Sequence, residues 1–299
     1  MIVLIAIFLI TNHISSKNAI NTAKLFCAKA GLHLRQEPSV EFLMPTLLGD
    51  SFALTKSVVI TDENGNDGSV LIYFNNKNSI RYINHGIRSK ASKKYKLPLV
   101  GTDPLTYPDF LPESKAKKNI FNISDKIGIP DDFEFTEIRL NKMQGTWYGL
   151  WTRKYSGFAY ENDSILIQIM AMEGEFYTFS KTCLGSPCLV DVKVTKEEAI
   201  AKGWEKIGKY FDDEKWKTLK KEYEVKAAEL KIIQPNVFLG FVISMWKNSD
   251  SRLAWVIEYA PIKEPDADKR LEIGYHDRFV IKIDAATKDF LGGITGMYK

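Results

Sequence analysis

The side chains that could perform acid–base chemistry are few and dispersed along the chain. Two pairs of adjacent carboxylates, Asp131-Asp132 and Asp212-Asp213, fall near expected helix ends, where turn and helix-terminal roles are the better interpretation. Catalytic acids and bases must converge in space with tuned pKa values, and adjacency in sequence does not indicate this. The four histidines lie in different segments, at His13, His33, His85 and His276.

The histidines and the motif content give no basis for an enzyme. His85 could act as an acid or base in a loop, but a surface histidine is the favoured interpretation. No histidine has a second ligand at metal spacing. The chain lacks the G-x-S-x-G, H-E-x-x-H, phosphate-loop and G-x-G-x-x-G patterns, each of which carries a known chemistry. We therefore predict no catalytic residue, no metal and no cofactor.

Aromatic residues are concentrated in one predicted strand, residues 146–155. Alternation along a strand places Trp147, Trp151, Arg153 and Tyr155 on one face. The favoured interpretation is that the tryptophans are core residues packed against the helix that contains Ile120. The alternative is an exposed patch of the composition found at protein interfaces, which makes these four residues the candidate partner-binding site.

Two of the three cysteines could form a disulfide. Cys183 and Cys188 enclose a Gly-Ser-Pro turn, and closing so short a loop stabilises the fold by about 2 kcal/mol on the chain-entropy model. Such a bond requires an oxidising compartment. A metal site is less favoured, because no second Cys pair or nearby His completes four ligands. Cys27 falls on the apolar face of a helix, where it fits a small buried hydrophobe.

Composition and charge indicate a globular protein. The 299 residues are 45% hydrophobic and 26% charged, so the chain can bury a core without staples. A net charge of +4 is small for this length and gives no case for nucleic acid.

The one sustained apolar run covers residues 2–10. It is too short to cross a bilayer, which needs about 20 residues, but it fits the apolar region of a secretory signal. Ile14-Ser15-Ser16 can serve as the cleavage site, although no Lys or Arg precedes the run. A buried first strand or a gene start assigned too late are the alternatives. We expect residues 1–16 to be a signal peptide or N-terminal anchor, with possible membrane association, and an extracytoplasmic (secreted or cell-envelope) protein.

The first of three predicted units covers residues 17–87. A helix over residues 15–30, ended by Gly31, precedes strands over 57–61, 69–74 and 79–83, and Asn64-Gly65 is a strong hairpin signal. Residues 88–112, basic and then rich in proline, are interpreted as a linker.

The second and third units are predicted at residues 113–190 and 191–299. The second has a helix over 114–127 and strands over 133–140, 146–155, 164–170 and 175–180. The third opens on a capping box, Thr195 with Glu198, and has an extra amphipathic helix that ends at Pro235. That helix is predicted from the spacing of Trp216, Leu219, Tyr223, Ala227 and Leu230. Strands follow over 237–246, 253–259, 279–284 and 290–294.

The predicted fold class is α+β, built from tandem repeats of a helix packed on a 3- or 4-stranded antiparallel sheet. The closing hairpins align without a gap at residues 165–169 and 279–283, and Phe176 then falls on Phe290. Because apolar strands align easily by chance, the helix before each hairpin is the stronger argument for repetition.

Short motifs in the last two units resemble a known family. Residues 194–201, Val-Thr-Lys-Glu-Glu-Ala-Ile-Ala, resemble the opening helix of a PepSY domain, and residues 253–257 and 280–287 resemble its strands. Residues 147–155, Gly157 and the hairpin at Ile165 resemble the related YcdB/YcdC-type repeats of bacterial envelope proteins. The chain departs from the family at Lys288, where Gly is usual, and its Asp284 is Met170 in the middle unit.

The resemblance implies a non-catalytic protein that contacts another protein outside the cytosol. PepSY domains occur in peptidase propeptides and in secreted or membrane-bound regulators, so the expected function is to bind and modulate an envelope or secreted protein such as a peptidase. The alternative is a small-ligand carrier or a hydrolase with a site between units. The expected partner is a protein or peptide.

Overall fold

The structure is a computed structural model that describes residues 16–42, 46–48, 51–53, 55–73, 79–95, 109–210, 220–235, 250–263 and 276–297. The predicted signal peptide or anchor, residues 1–16, lies outside these residues except for Ser16, and the predicted strand over 237–246 lies outside them entirely. Within the described ranges, no helix is long and apolar enough to cross a membrane.

The chain divides into two compact units, whereas the sequence suggested three. Unit 1 comprises Met1–Lys154 and Asn162–Leu184, and unit 2 comprises Tyr155–Glu161 and Gly185–Lys299. The predicted first and second units thus fall largely into one compact body.

Unit 1 contains three of the described helices, α1 (Ser16–Ala30), α2 (His85–Tyr95) and α3 (Glu113–Ile127). Helices α1 and α3 confirm the sequence prediction to within one residue at either end. Gly31 and Gly128 follow these two helices with φ of 71° and 78°. A left-handed residue after the last turn is the usual helix end, and glycine adopts it without steric cost.

The strands of unit 1 are mostly antiparallel neighbours. They are β1 (Ser39–Phe42), β2 (Thr46–Leu48), β3 (Ser51–Ala53), β4 (Thr55–Thr61), β5 (Asp67–Tyr73), β6 (Ile80–Asn84), β7 (Phe133–Asn141), β8 (Thr146–Tyr155), β9 (Phe158–Met170) and β10 (Phe176–Thr182). The order is β1-β4-β5-β6-β10-β9, with β8 beside β9, β7 beside β8, and β2–β3 as a separate pair. The Asn64-Gly65 hairpin is confirmed, since β4 pairs antiparallel with β5 and Gly65 has φ of 74°.

Unit 2 has helix α4 (Lys196–Tyr210) and strands β11 (Tyr223–Ile233), β12 (Arg252–Pro261), β13 (His276–Asp284) and β14 (Phe290–Met297). Strands β11 to β14 pair antiparallel in chain order. The first residues of β9 also belong to unit 2, where Ala159 and Tyr160 pair in parallel with Lys231 and Ile232. The capping box is confirmed, because the Glu198 N–H donates to Thr195 Oγ1 (3.2 Å) and the Thr195 N–H donates to Glu198 Oε2 (2.9 Å).

The predicted fold class, repeated small sheets under single helices, is wrong. Twelve of the described strands belong to one mixed sheet, joined through β9. Strand β9 has 13 residues and begins at Phe158, six residues before the predicted start at Ser164. Its added length supplies the parallel pairing with β11, which isolated antiparallel hairpins would not have.

The predicted extra helix is also wrong from Tyr223 onward, although the described residues 220–222 before it are helical. Tyr223, Ala227 and Leu230 lie in strand β11, which has bulge geometry between Val225 and Ala227. Pairing on both sides, with β12 and with β9, satisfies the backbone of this segment as a strand. Trp216 and Leu219 lie outside the described residues.

The segment interpreted as a linker, residues 88–112, is partly helical. Residues 88–95 belong to α2, and buried Ala91 lies on its inner side. Arg88 Nη1 lies 3.5 Å from Tyr177 Oη, and Lys94 Nζ lies 3.6 Å from Glu173 Oε1. The helix is therefore attached to the body of unit 1.

The core of unit 1 lies between its sheet and helices α1 and α3. Helix α1 buries Ala19, Ala23 and Cys27, and this small-residue face lets the helix approach the strands closely. The larger Phe26 packs on Phe179, with ring centroids 5.1 Å apart. Helix α3 buries Ala116, Ile120, Ser124 and Ile127.

The core of unit 2 lies under α4. Ala199 and Ile207 pack with buried residues of β12 and β13, including Tyr259 and Ile281. The Tyr259 hydroxyl donates to the Ile200 carbonyl over 2.9 Å. Gly203 makes this possible, because a Cβ at residue 203 would collide with that hydroxyl.

Gly203→Ala should destabilise the protein by about 1–3 kcal/mol, although alanine is favoured over glycine by about 1 kcal/mol within a helix. The reason is the collision with the Tyr259 hydroxyl. Urea unfolding of both proteins measures the difference. Gly203→Ala combined with Tyr259→Phe removes the hydroxyl, and it should lose less stability than the sum of the two single changes. Stabilisation by Gly203→Ala alone would contradict the packing.

Candidate functional site

The two tryptophans of the predicted partner-binding site are core residues. Trp147 is 8% exposed and Trp151 is 4% exposed. The Trp147 Nε1–H donates to the Leu111 carbonyl over 3.0 Å, and the Trp151 ring packs at 5.3 Å on Phe135 and 5.8 Å on Phe121. The exposed aromatic patch is therefore not formed, and the favoured interpretation of the tryptophans as core residues is the one that the structure shows.

The third candidate residue, Arg153, lies in an ion-pair network of unit 1. Its Nε lies 2.6 Å from Asp132 Oδ2, and its Nη1 lies 2.9 Å from Asp163 Oδ2. Asp163 is 2% exposed, and its Oδ1 also accepts the Leu184 N–H over 2.7 Å. Arg153 thus connects the residue before β7 with Asp163 of β9, and Asp163 in turn holds Leu184, which lies two residues after β10. This is a structural role.

The remaining candidate, Tyr155, belongs to unit 2 and is 38% exposed. Alternation in β8 predicted that it would share a surface with the tryptophans. Since both tryptophans are buried, Tyr155 offers no such shared surface.

The predicted disulfide between Cys183 and Cys188 is not formed, and none of the three cysteines belongs to a disulfide. Burial raises the pKa of the Cys27 thiol to about 12. Burial also raises the pKa of Cys183 and of Cys188, although Arg153 and Arg252 respectively oppose the shift. The neutral thiol is therefore favoured at all three positions, which is the opposite of the environment of a nucleophilic cysteine.

The charged interior of unit 2 is built from paired groups. Fully buried Lys282 places Nζ 2.7 Å from Glu161 Oε2, and Asp284 Oδ2 lies 2.6 Å from Arg252 Nη2. Asp284 Oδ1 also accepts the N–H groups of Ala286 and Thr287, both over 2.8 Å. Asp284 therefore builds the β13–β14 turn.

The two histidines whose side chains the structure describes, His33 and His85, lie in different segments of unit 1. His85 is exposed, with Nε2 3.0 Å from Ser69 Oγ. His33 is exposed in the loop after α1, and His13 lies outside the described residues. In the part of the chain that the structure describes, no three His, Cys, Asp or Glu side chains are grouped so that they could hold a metal ion.

A groove that could bind a ligand lies on the described surface of unit 1. Its helical wall is α1, which contributes Leu25, Phe26 and Lys29. Its floor is the sheet, which contributes the apolar residues Ile80 from β6, Ile165 from β9 and Phe179 from β10. The end of α3 and the residues after it, 127–130, form the opposite side. We call this feature the α1–α3 groove.

The α1–α3 groove is mainly apolar and has a volume of about 150 Å³. Phe26, Ile165 and Phe179 are buried beneath it, whereas Leu25 is 60% exposed at its edge. An apolar side chain with this exposure beside an open apolar depression can gain burial only from a bound group. Burying a leucine side chain is worth about 1.5–3 kcal/mol.

Two lysines line the α1–α3 groove from different elements. Lys29 lies in the last turn of α1, and Lys181 lies on β10 beside the floor residue Phe179. Lys181 Nζ is 6.0 Å from the ring centroid of Phe133. The groove can therefore bury an apolar group and attract a negative charge at its edge, and neither property requires a reaction.

The sequence contained only a partial signal for this groove. Leu25 falls beside the small-residue face of α1, so it could be recognised as an apolar residue off the buried stripe. Nothing in the sequence placed Lys181 or Ile165 beside α1, because that contact depends on the order of the strands in the sheet.

Comparison with known proteins does not assign a function to this chain. No protein-family model matches the sequence, and no curated protein matches it. A solved structure of an uncharacterized protein from Eubacterium rectale is similar over 93% of this chain and 82% of that chain, with 12% identity and a TM-score of 0.49. The resemblance to PepSY domains therefore stays a prediction.

The Arg153 network predicts different costs for its two carboxylates. Asp163→Ala should destabilise the protein by about 3 kcal/mol, because it leaves a largely buried arginine and the Leu184 N–H without this partner. Asp132→Ala is the matched control, and it should cost less than about 1 kcal/mol since Asp132 is well exposed. Denaturant unfolding measures both. Equal losses in the two variants would contradict the structural role assigned to the buried pair.

Proposed function

We propose that this protein is a non-catalytic binding module that holds one apolar side chain of a polypeptide partner in the α1–α3 groove. The observation that supports the proposal most strongly is the open apolar groove with exposed Leu25 at its edge. The tryptophan strand, which the sequence offered as the contact surface, contributes to the core beneath α3 instead.

The size of the groove favours a polypeptide over a small molecule. Sites for drug-sized ligands typically enclose about 300–1,000 Å³. A volume of about 150 Å³ is comparable to that of the engineered cavity that holds one benzene molecule. A leucine, isoleucine or phenylalanine side chain is of this size. A partner that inserts one such side chain can add main-chain and rim contacts outside the groove, which a small ligand cannot.

The cellular setting of this function is part of the proposal. The apolar run at residues 2–10 fits a secretory signal or an anchor, so we place the binding function outside the cytosol, with membrane association through the N-terminus if the run is retained. By its resemblance to PepSY domains, the partner would be an envelope or secreted protein such as a peptidase.

A neutral peptide with one apolar anchor tests the groove. Acetyl-Gly-Ser-Gly-Leu-Gly-Ser-Gly-amide should bind weakly, on the order of millimolar, and the same peptide with Ala in place of Leu should bind at least tenfold more weakly. Titration followed by NMR of ¹⁵N-labelled protein measures both affinities and shows which residues respond. We expect the largest shifts at the α1–α3 groove.

Leu25→Asp should reduce the affinity for the Leu peptide at least tenfold, because it places a charge at the apolar edge. Met143→Asp is the matched control, since Met143 is 71% exposed and lies outside the groove, and it should leave the affinity unchanged. The proposal is wrong if the Leu and Ala peptides bind equally, or if both variants lose the same affinity.

A further inference from the structure

We propose that the α1–α3 groove selects an acidic polypeptide segment, in which carboxylates flank the apolar side chain that enters the groove. This inference rests on the proposed function and names the chemistry of the partner. It follows from the charged side chains around the groove. The apolar lining alone would not distinguish an acidic partner from a basic one.

The charged lining residues are all of one sign. Lys29 and Lys181 line the groove, and none of its other lining residues is acidic. Lys126, near the end of α3, places its Nζ within 3.9 Å of where a Cβ on Gly31 would lie. A third positive charge is therefore close to the end of α1.

The carboxylates that follow the lining segments in the sequence do not neutralise the positive charge of the lysines. Asp132 is held by Arg153 at 2.6 Å. Asp131 is exposed and does not line the groove. Glu37, in the loop after α1, is 2.6 Å from Lys24. The two lysines that line the groove are therefore not opposed by any acidic lining residue.

The negative partial charges at the carboxyl ends of the helices oppose the positive charges of the lysines but are smaller. Helices α1 and α3 both end near the groove, and each carboxyl end carries a partial charge of about −0.5. Two such ends amount to about one negative charge, while the two lining lysines supply two positive ones. The balance favours an anionic partner, and it strengthens association most at low salt.

The positions of the two lining lysines favour a peptide with charges on both sides of its anchor. Lys29 is on the helical wall, and Lys181 is on the strand that forms the floor. A fatty acid carries one carboxylate at the end of a long chain, and that chain would exceed a volume of about 150 Å³. An acidic peptide can place one carboxylate toward each lysine while one apolar side chain fills the groove.

Three peptides with the same leucine anchor test the charge selection. Relative to acetyl-Gly-Gln-Gly-Leu-Gly-Gln-Gly-amide, replacement of both Gln by Glu should increase the affinity about tenfold, and replacement of both by Lys should decrease it. The gain for the Glu peptide should shrink as NaCl is raised from 50 to 500 mM. NMR titration measures each dissociation constant.

Charge reversal in the protein completes the test. The double variant Lys29→Glu with Lys181→Glu should bind the Glu peptide with at least tenfold lower affinity, and it should bind the Lys peptide more tightly than the Glu peptide. Lys115→Glu with Lys118→Glu changes the net charge equally on exposed positions of α3 that do not line the groove, and it should preserve the preference for Glu. Circular dichroism of each variant confirms that it is folded.

The two proposals fail in distinguishable ways. Equal binding of the Glu, Gln and Lys peptides, with binding still dependent on leucine and on Leu25, would overturn the charge selection and leave the apolar groove intact. Leucine-independent binding would overturn the proposed function itself. Equal loss in both charge-reversed variants would assign the effect to net charge and contradict selection by Lys29 and Lys181.

Discussion

The close packing of α1 on the sheet of unit 1 is the constraint on which the proposed site depends. Ala19, Ala23 and Cys27 bury almost completely against the strands, so the helix lies near the sheet and Phe26 reaches Phe179. Leu25, one residue before Phe26, lies outside the buried face of α1 and at the edge of the α1–α3 groove. A larger residue in place of Ala19, Ala23 or Cys27 would move α1 away from the sheet. The contacts that shape the α1–α3 groove would then be lost.

Two buried carboxylates, Asp163 and Asp284, are used to hold elements of the fold together. Asp163 receives Arg153 and a backbone N–H, and Asp284 receives Arg252 and two backbone N–H groups. A carboxylate satisfied in this way is fixed in the folded structure and has little capacity left for a substrate. In contrast, the α1–α3 groove presents apolar surface and lysines to solvent, which is the combination needed for recognition.

The sequence predicted what depends on local pattern and missed what depends on distant pairing. Helices α1, α3 and α4 were recognisable because apolar spacing, glycine ends and the Thr195–Glu198 cap are all local signals. Strand β11 was predicted as a helix, because Tyr223, Ala227 and Leu230 also fit helical spacing and its pairing with β9 is invisible in sequence. For the same reason, the tryptophans could be placed on one strand face without showing whether α3 covers it, and Lys181 could not be placed beside α1.

The most direct test of the account is to observe where an apolar anchor lies when it is bound. Intermolecular NOEs should be recorded between the methyl groups of the leucine in the Glu-flanked peptide and the isoleucine methyl groups of the protein. The account predicts NOEs to Ile80, Ile127 and Ile165, which line the groove. NOEs confined to other parts of the protein, with none to these three residues, would contradict it.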